Sequence, residues 1–265
     1  MPPAISTDLT DQLTRFAETL ADESRAILND AAGRLPEVDI KSDLSYVTDT
    51  DRAVEQRLRE MIDREFPDHG VMGEEFGSRD LDAEYVWVLD PIDGTAAFVA
   101  GIPVFGTLIG VARQGRPWIG VIDHPATAER WVGVSGERAT LNGKAIKTRP
   151  CGDLASALMT NSNPDFFQPA ERTVFETLRS QVRYTQYGGS CYAYGVLASG
   201  RTDLAIDGGL EPFDIFAPAA VIEGAGGVVT DWSGAGITLG WNDLVLAAGD
   251  CNLHAKVLSE LSSGR

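Results

Sequence analysis

Apolar side chains recur at helical spacing in two stretches near the start of the chain. The apolar positions of the first stretch lie three or four residues apart: Leu9, Leu13, Phe16 and Leu20. This spacing predicts an amphipathic helix that Thr7 or Asp8 caps and that continues to about Ala32. A second helix is predicted over Thr50–Phe66, and Pro67 ends it because proline lacks a backbone N–H.

The pattern changes from Tyr85 onward, where short apolar runs are separated by glycine and proline. These runs predict strands over Tyr85–Leu89, Val104–Ala112, Trp118–Asp123 and Arg130–Val134. The pairs Gln114-Gly115 and Asn142-Gly143 are typical of the tight turns between neighbouring antiparallel strands. The first half of the chain therefore predicts an α+β arrangement with an antiparallel sheet.

Predicted strands and helices alternate beyond about residue 150. The strands are Ala157–Thr160, Val182–Gln186, Leu204–Ile206, Val228–Asp231 and Leu244–Ala247. The helices are Phe166–Arg179, Ser190–Ala198, Pro212–Gly224 and Leu253–Leu261. Such alternation is typical of an α/β layer. We therefore predict an N-terminal α+β domain over residues 1–150 and a C-terminal α/β domain over residues 151–265.

Composition narrows the class of protein. The chain has 265 residues, 43% hydrophobic and 23% charged, which excludes a disordered, collagen-like or coiled-coil protein. Its 3 cysteines have no Cys-x-x-Cys spacing, which argues against disulfides and structural zinc and favours the cytoplasm. The first residues lack a signal-peptide pattern, and no apolar run reaches the roughly 18 residues that span a membrane.

The net charge of −17 disfavours two classes of partner. A chain this acidic repels the phosphate backbone of nucleic acids and the surface of anionic membranes. An anionic substrate would need a local cation to reverse the field, and a bound metal ion is the obvious device. We therefore expect a small-molecule partner, with neither nucleic acid nor membrane.

The first candidate for chemistry is a hydrophobic strand that runs directly into two carboxylates. Asp90 follows the strand, Pro91 constrains the turn, and Asp93 comes three residues after Asp90. Gly94 and Thr95 then suit the start of a helix. Carboxylate and carbonyl oxygens are the ligands that Mg²⁺ prefers, and a helix N-terminus favours phosphate. The segment therefore suits a metal site beside a phosphate site.

Structural roles also suit the candidate acidic residues when each is taken alone. Aspartate pairs of this spacing are common in turns and on solvated surfaces. Asp51 and Asp214 stand where a carboxylate can cap a helix or interact with its dipole. Glu74 and Glu75 lie in the glycine-framed loop Gly73–Gly77, which is a weak signal. From residue types and spacing alone, both interpretations stay open.

Taken together, these segments resemble the inositol monophosphatase-like phosphatases, which are magnesium-dependent and lithium-sensitive. The motifs that carry the resemblance are Val47–Asp51, Gly73–Glu75, Asp90–Thr95, Glu211–Ala217 and Glu223–Gly227. The string Asp-Pro-Ile-Asp-Gly-Thr is the family signature and is highly specific, whereas Phe213 stands where Trp or Tyr is usual. The resemblance runs from Lys41 to Trp232. It implies a layered α/β/α/β/α sandwich and a homodimer.

The resemblance also implies two or three Mg²⁺ ions in one active site. Glu74, Asp90 and the carbonyl of Ile92 would hold the first ion. Asp90, Asp93 and Asp214 would hold the second, with Asp90 as the bridge. A third, weaker site would lie near Glu74. The N-terminal domain would thus carry most of the ligands, and the C-terminal domain would carry Asp214.

The remaining implied roles belong to residues beside the metals. Thr95, hydrogen-bonded to Asp51, would position the attacking water and help to deprotonate it. Thr95, Asp51 and Glu74 are therefore the implied catalytic residues. Backbone N–H groups of Gly94 and Thr95 would bind the phosphate of a small phosphorylated metabolite. The implied reaction is hydrolysis of a phosphate monoester by in-line attack of water.

Three further segments resemble the histidinol-phosphate phosphatases of histidine biosynthesis more than the inositol enzymes. They are Gly101–Ile109, Gly189–Gly200 and Asp203–Asp214. The candidate substrate-binding residues are Asp207, Ser190 and Glu211, with Asp207 placed against the ammonium group. Inositol 1-phosphate, or a broader sugar or nucleotide phosphate, is the alternative substrate. A second alternative is a catalytically silent relative that binds a phosphorylated metabolite.

Overall fold

The computed structural model describes residues 7–31, 33–41, 45–241 and 243–263. Its helices are α1 (Thr7–Ala31), α2 (Asp49–Glu65), α3 (Thr95–Ala100), α4 (Pro169–Arg179), α5 (Ser190–Ala198), α6 (Pro212–Gly224) and α7 (Cys251–Ser263). The strands of the first half are β1 (Val38–Ile40), β2 (Tyr46–Thr48), β3 (Gly70–Gly73), β4 (Gly77–Arg79), β5 (Tyr85–Asp93), β6 (Gly106–Arg113), β7 (Arg116–His124), β8 (Glu129–Val134), β9 (Arg138–Leu141) and β10 (Lys144–Ala145). The strands of the second half are β11 (Leu158–Asn161), β12 (Tyr184–Tyr187), β13 (Leu204–Leu210), β14 (Val228–Thr230) and β15 (Asp243–Ala248).

Most strands belong to two sheets. The first has the order β10-β9-β8-β7-β6-β5-β3-β4, and its neighbours are antiparallel except for the parallel pair β3 and β5. The second has the order β12-β11-β13-β15-β14. There β11 is parallel to both neighbours, whereas β15 is antiparallel to both of its own. The predicted antiparallel character of the first half is confirmed, and the second half forms a mixed sheet.

Three apolar clusters fill the spaces between helices and sheets. Helices α1 and α2 bury Leu13 and Leu58 against Trp87 on one face of the first sheet. Helices α5 and α6 lie between the two sheets, where Phe216 joins a cluster with side chains from both. Helices α4 and α7 cover the far face of the second sheet around Phe175. The layers run helix, sheet, helix, sheet, helix, which confirms the predicted α/β/α/β/α sandwich.

Element boundaries agree with the sequence pattern where the ends are clearly marked. The helices Ser190–Ala198 and Pro212–Gly224 begin and end as predicted. The helix predicted over Phe166–Arg179 begins at Pro169 instead, because a 3₁₀ turn over Pro164–Phe166 precedes it. Proline suits the first position of a helix, since its missing N–H would have no partner there.

Other elements were missed by the sequence pattern or were predicted with different ends. Strands β3 and β4 have 4 and 3 residues, too few to display an alternation. They matter because the turn between them carries Glu74 and Glu75. Strand β5 continues through Asp93 and does not end at the predicted Leu89. Helix α1 reaches Ala31, and its predicted end, Ala32, lies outside the described residues.

Helix α6 lies close to the first sheet because the strands facing it carry Gly110, Gly120 and Gly133. A Cβ atom on Gly120 would lie 2.2 Å from the carbonyl oxygen of Ala217. We expect Gly120→Ala to lower the free energy of unfolding by about 1–3 kcal/mol, because packed backbone atoms would have to move apart. Urea unfolding measures this loss. Gly152→Ala is the control, since its Cβ would meet nothing within 4 Å; equal losses would contradict the packing explanation.

Candidate active site

A β-bulge in β5 places the two signature aspartates on the same side of the sheet. In a regular strand, residues three apart point to opposite faces. Asp90 and Asp93 escape this rule because the pairing with β6 shifts between them. Pro91 and Ile92 of β5 together lie opposite the single residue Thr107 of β6. The extra residue on β5 reverses the alternation of its side chains between the two faces of the sheet.

Helix α6 brings a third carboxylate to the same point. Asp214 lies in the first turn of α6, and its Oδ2 accepts a hydrogen bond of 2.7 Å from the backbone N–H of Glu211. Carboxylate oxygens of Asp90, Asp93 and Asp214 lie within 4.8 Å of one another. The structure therefore joins the signature turn of the first sheet to the first turn of a helix from the second half.

The charge of this aspartate cluster, Asp90, Asp93 and Asp214, is unfavourable without a cation. Burial, together with the neighbouring carboxylates, raises the pKa of Asp90 well above its ordinary value, and burial likewise raises that of Asp214. Burial raises the pKa of Asp93 to about 6, although the N–H of Cys191 donates to it at 2.5 Å. Like charges and desolvation both oppose ionisation here.

The donor set of the aspartate cluster fits a hard metal ion. Oδ1 of Asp90 is buried and has no hydrogen-bond partner among the described residues. Buried acceptors rarely stay unpaired, so this oxygen needs a ligand. Three carboxylates at one point supply the oxygen atoms that Mg²⁺ and similar cations prefer.

Glu74 stands beside the cluster on the turn between β3 and β4. Its charge contributes to the raised pKa of Asp90. Nζ of Lys41 lies 2.7 Å from Oε1 of Glu74 and 2.8 Å from Oε1 of Glu75. Burial opposes the charge of Lys41, but the two carboxylates outweigh it and raise its pKa. The ammonium group therefore balances part of the negative charge at this edge of the site.

The predicted contact between Thr95 and Asp51 is present. Oγ1 of Thr95 lies 3.4 Å from Oδ1 of Asp51 and 3.0 Å from the carbonyl oxygen of Ile92. Asp51 is fully buried, and burial raises its pKa to about 6 even though Thr48 donates to it. Thr48 and Asp51 also form the capping box of α2. Asp51 thus has the structural role that the sequence left open and also contacts Thr95.

Gly94 joins the signature turn to α3 in a backbone conformation that few other residues adopt. Its φ is +83°, in the left-handed region. A Cβ atom there would lie 2.9 Å from Oγ of Ser190 and 3.0 Å from the carbonyl oxygen of Val104. Ser190, a candidate substrate residue, therefore lies next to the candidate phosphate-binding turn of Gly94 and Thr95.

The carboxylate of Asp207 is buried and already has three donors. Oδ2 accepts from the Tyr194 hydroxyl at 2.6 Å. Oδ1 accepts from the backbone N–H of Ser162 at 2.6 Å and from Nδ2 of Asn161 at 2.9 Å. Burial raises the pKa of Asp207 to about 6. A carboxylate offers about four acceptor positions, so roughly one remains for another donor.

A cleft of about 400 Å³ opens beside Glu74. Its walls include Glu211 and Phe213 at the start of α6 and Trp241 from the segment after β14. Of the candidate substrate residues, Glu211 lines this cleft, whereas Asp207 and Ser190 do not. The cleft offers aromatic faces and carboxylates within reach of one small molecule.

The sequence pattern missed a residue that supports Glu74 and Glu75. Glu55 of α2 is fully buried, and its carboxylate accepts from the backbone N–H of Glu75 at 2.7 Å and of Phe76 at 3.2 Å. Nε of Arg59 also donates to it at 2.8 Å. An acidic residue on the apolar face of a predicted helix was the signal that could have revealed it.

Comparison with known proteins identifies the family. The sequence pattern of the inositol monophosphatase family matches residues 9–264, so the chain belongs to this family. It is 39% identical to the bifunctional phosphatase IMPL2 of Arabidopsis thaliana, a chloroplastic protein, over 98% of this chain and 78% of that one. It is 33% identical to a histidinol-phosphatase of Mycobacterium tuberculosis, over 94% of this chain and 97% of that one.

A solved structure carries the same fold. An inositol monophosphatase from Zymomonas mobilis superposes with a TM-score of 0.87 and 38% identity, over 97% of this chain and 100% of that one. The family and its enzymes are phosphoric monoester hydrolases, which confirms the predicted enzyme class. The family is also metal-dependent, in agreement with the aspartate cluster.

Membrane spanning and location were also predicted from the sequence. Among the described residues, each helix is too short or too polar to cross a membrane. The cytoplasmic location stays a prediction, since the Arabidopsis relative is named as a chloroplastic protein.

Proposed function

We propose that the chain is a Mg²⁺-dependent phosphatase that prefers histidinol phosphate. The observation that supports metal binding is the aspartate cluster, in which a buried oxygen of Asp90 has no hydrogen-bond partner among the described residues. The substrate part is supported by the resemblance of Gly189–Gly200 and Asp203–Asp214 and by the similarity to the Mycobacterium tuberculosis histidinol-phosphatase. Inositol 1-phosphate is the second candidate, because the Zymomonas mobilis neighbour is an inositol monophosphatase.

The proposed metal ligands follow the family motifs. Glu74, Asp90 and the Ile92 carbonyl would hold one ion, and Asp90, Asp93 and Asp214 a second, with a third near Glu74. When bound, Mg²⁺ neutralises phosphate, lowers the pKa of water and stabilises the leaving oxygen. Lithium sensitivity and homodimer formation also stay predictions of the family resemblance.

The chain's own residues would orient the attack. We assign the Thr95 hydroxyl to orient the attacking water and the Asp51 carboxylate, 3.4 Å behind it, to receive the proton. Backbone N–H groups of Gly94 and Thr95 would hold a phosphate oxygen, since the first N–H groups of a helix have no partner within it. Glu74 completes the proposed catalytic set.

The substrate's ammonium and imidazole groups need partners beyond the phosphate. Asp207 and Glu211 are the proposed carboxylates for the ammonium group, and Ser190 is proposed for the imidazole. A hydrogen bond from an ammonium to a carboxylate is stronger than one between neutral groups. An inositol ring can donate hydroxyl hydrogen bonds to these carboxylates but has no cationic group, so it forms no ion pair with them.

Steady-state kinetics tests the substrate. We expect kcat/KM to be higher for histidinol phosphate than for inositol 1-phosphate. Asp207→Asn and Glu211→Gln should each narrow the gap, mainly by raising KM for histidinol phosphate about tenfold, as loss of one charged hydrogen bond predicts. Glu137→Gln, an exposed change on the turn before β9, is the control.

The possible outcomes separate the alternatives. A higher kcat/KM for inositol 1-phosphate would reject histidinol phosphate and leave the metal-dependent phosphatase in place. Equal effects of Asp207→Asn on both substrates would reject its ammonium contact. No phosphate release from any monoester in the presence of Mg²⁺ would support the catalytically silent alternative.

A further inference from the structure

A chain of buried hydroxyl groups links α1 to the bulge in β5. Oγ of Ser24 lies 2.5 Å from Oγ1 of Thr107, and Oγ1 of Thr107 lies 2.9 Å from the carbonyl oxygen of Pro91. Both hydroxyl side chains are fully buried. Pro91 is one of the two residues that lie opposite Thr107 in the bulge.

The direction of each hydrogen bond in this chain follows from the number of protons. A carbonyl oxygen only accepts, so Thr107 donates its single hydroxyl proton to Pro91. Thr107 can then only accept from Ser24, which must donate. Ser24 therefore donates to Thr107, and Thr107 donates to the Pro91 carbonyl. The bond from Ser24 fixes the orientation of the Thr107 hydroxyl group.

The bulge creates the need for this bond. A bulge disrupts the regular ladder and leaves backbone groups unpaired. The Pro91 carbonyl lies in such an interruption, between Asp90 and Asp93, where the pairing shifts. The Thr107 hydroxyl supplies this carbonyl with a hydrogen-bond donor from a side chain.

Helix α1 is anchored at the same place by a second, independent contact. Arg25, the residue after Ser24, donates to Asp123 at 2.9 Å through Nε and at 2.7 Å through Nη2. Asp123 is the partner of Thr107 across the ladder between β6 and β7, and it is buried. This ion pair sets the position of α1 along the sheet and so places Ser24 against Thr107.

We propose that Thr107, supported by Ser24, is a positioning residue that holds the β5 bulge in the shape that binds the cation. The inference rests on the proposed metal-dependent function and adds residues outside its ligand set. Without the hydroxyl, the Pro91 carbonyl turns to find another donor, and the bulge that aligns Asp90 with Asp93 relaxes. We expect this change to weaken cation binding more than it destabilises the fold.

Isothermal titration of Mg²⁺ into the substrate-free protein tests the proposal. Thr107→Val keeps the side-chain volume and removes the hydroxyl; we expect it to weaken Mg²⁺ binding by about tenfold, as loss of an outer hydrogen bond does. Thr107→Ser should restore binding to near the wild-type level. Ser24→Ala keeps the hydrogen bond from Thr107 to Pro91 and should weaken Mg²⁺ binding by a smaller factor. This variant tests the proposal if Thr107→Val does not fold.

The matched control is Thr160→Val in the second sheet. Thr160 is also buried and donates to a backbone carbonyl, that of Leu204, at 3.4 Å. We expect this variant to lose thermal stability and to bind Mg²⁺ as the wild type does. In saturating Mg²⁺, Thr107→Val should regain most of its kcat, which a global loss of structure would not allow.

Two results would overturn the inference. One is wild-type Mg²⁺ affinity in both Thr107→Val and Ser24→Ala while the wild type hydrolyses phosphate monoesters only with Mg²⁺; the proposed function would then stand alone. The other is a wild-type protein that binds no Mg²⁺ in the titration, which would reject the inference and the proposed function together.

Discussion

Replacing Asp90 with asparagine should lower the rate of phosphate monoester hydrolysis by at least about 10³-fold. Asp90 is the proposed bridge between two metal ions, and asparagine keeps its shape but loses the charge that binds them. The same change removes one charge from the aspartate cluster, in which Asp90 is buried and the pKa values of Asp90 and Asp214 are raised by burial and neighbouring carboxylates. We therefore expect the melting temperature without Mg²⁺ to rise.

Thermal unfolding with and without Mg²⁺ measures this combination. A ligand that binds the folded state raises the melting temperature. Addition of Mg²⁺ should therefore raise the melting temperature of the wild type and raise that of Asp90→Asn much less. A fall in activity together with a fall in stability would instead indicate simple misfolding. Near-normal activity at low Mg²⁺ would reject the bridging role.

Asp203→Asn is the matched control for Asp90→Asn. Asp203 is also buried, but both its oxygens accept from Arg149 at 2.6 Å. Burial opposes its ionisation, yet the bonds from Arg149 and from the N–H of Leu158 outweigh it and lower its pKa. A lowered pKa means that the ionised carboxylate stabilises the fold above its ordinary pKa. Asp203→Asn should therefore lower the melting temperature and keep the response to Mg²⁺.

Replacing Thr95 with alanine should lower kcat by about 10²–10⁴-fold and change KM little. In the proposed mechanism its hydroxyl orients the attacking water and passes a proton toward Asp51, 3.4 Å away, so its loss should affect the reacting atoms more than ground-state binding. Thr95→Ser should recover most of kcat, since it restores the hydroxyl. A change confined to KM would make Thr95 a binding residue and reject its role with water.

The pH profile tests the same pair of residues. Burial raises the pKa of Asp51 to about 6, so the carboxylate is ionised at pH 7 and becomes protonated below about 6. A protonated carboxyl group no longer accepts a proton from Thr95. We therefore expect kcat to fall as the pH is lowered through about 6, and Asp51→Asn to remove this limb of the profile. A profile unchanged in Asp51→Asn would assign the limb to another group.

Local sequence signals were sufficient for much of this molecule. The helix Ser190–Ala198 was predicted with both ends because apolar spacing and terminal residues act over a few neighbours. The signature Asp90–Thr95 identified the family because all six residues of one turn match together. Short strands such as β3 and β4 failed the same approach, since 3 or 4 residues carry no period.

The roles of individual acidic residues could not be separated by sequence. Asp51 suited both a cap and a catalytic role, and the structure places it in the capping box of α2 and within 3.4 Å of Thr95. Asp207 was predicted to face the substrate, and its carboxylate proves to be buried with three donors around it. Burial and partners depend on elements that are distant along the chain.

The sequence by itself determined the class of fold, the family and the residue types of the site. These properties depend on local periodicity, turn chemistry and short motifs, which neighbouring residues carry between them. Only the tertiary structure decided that Asp90 and Asp93 lie on the same side of the sheet, because a bulge depends on the pairing of two strands. It also decided that Asp214 joins them and that Ser24 supports Thr107, because the packing of α6 and α1 on the first sheet brings distant residues into contact.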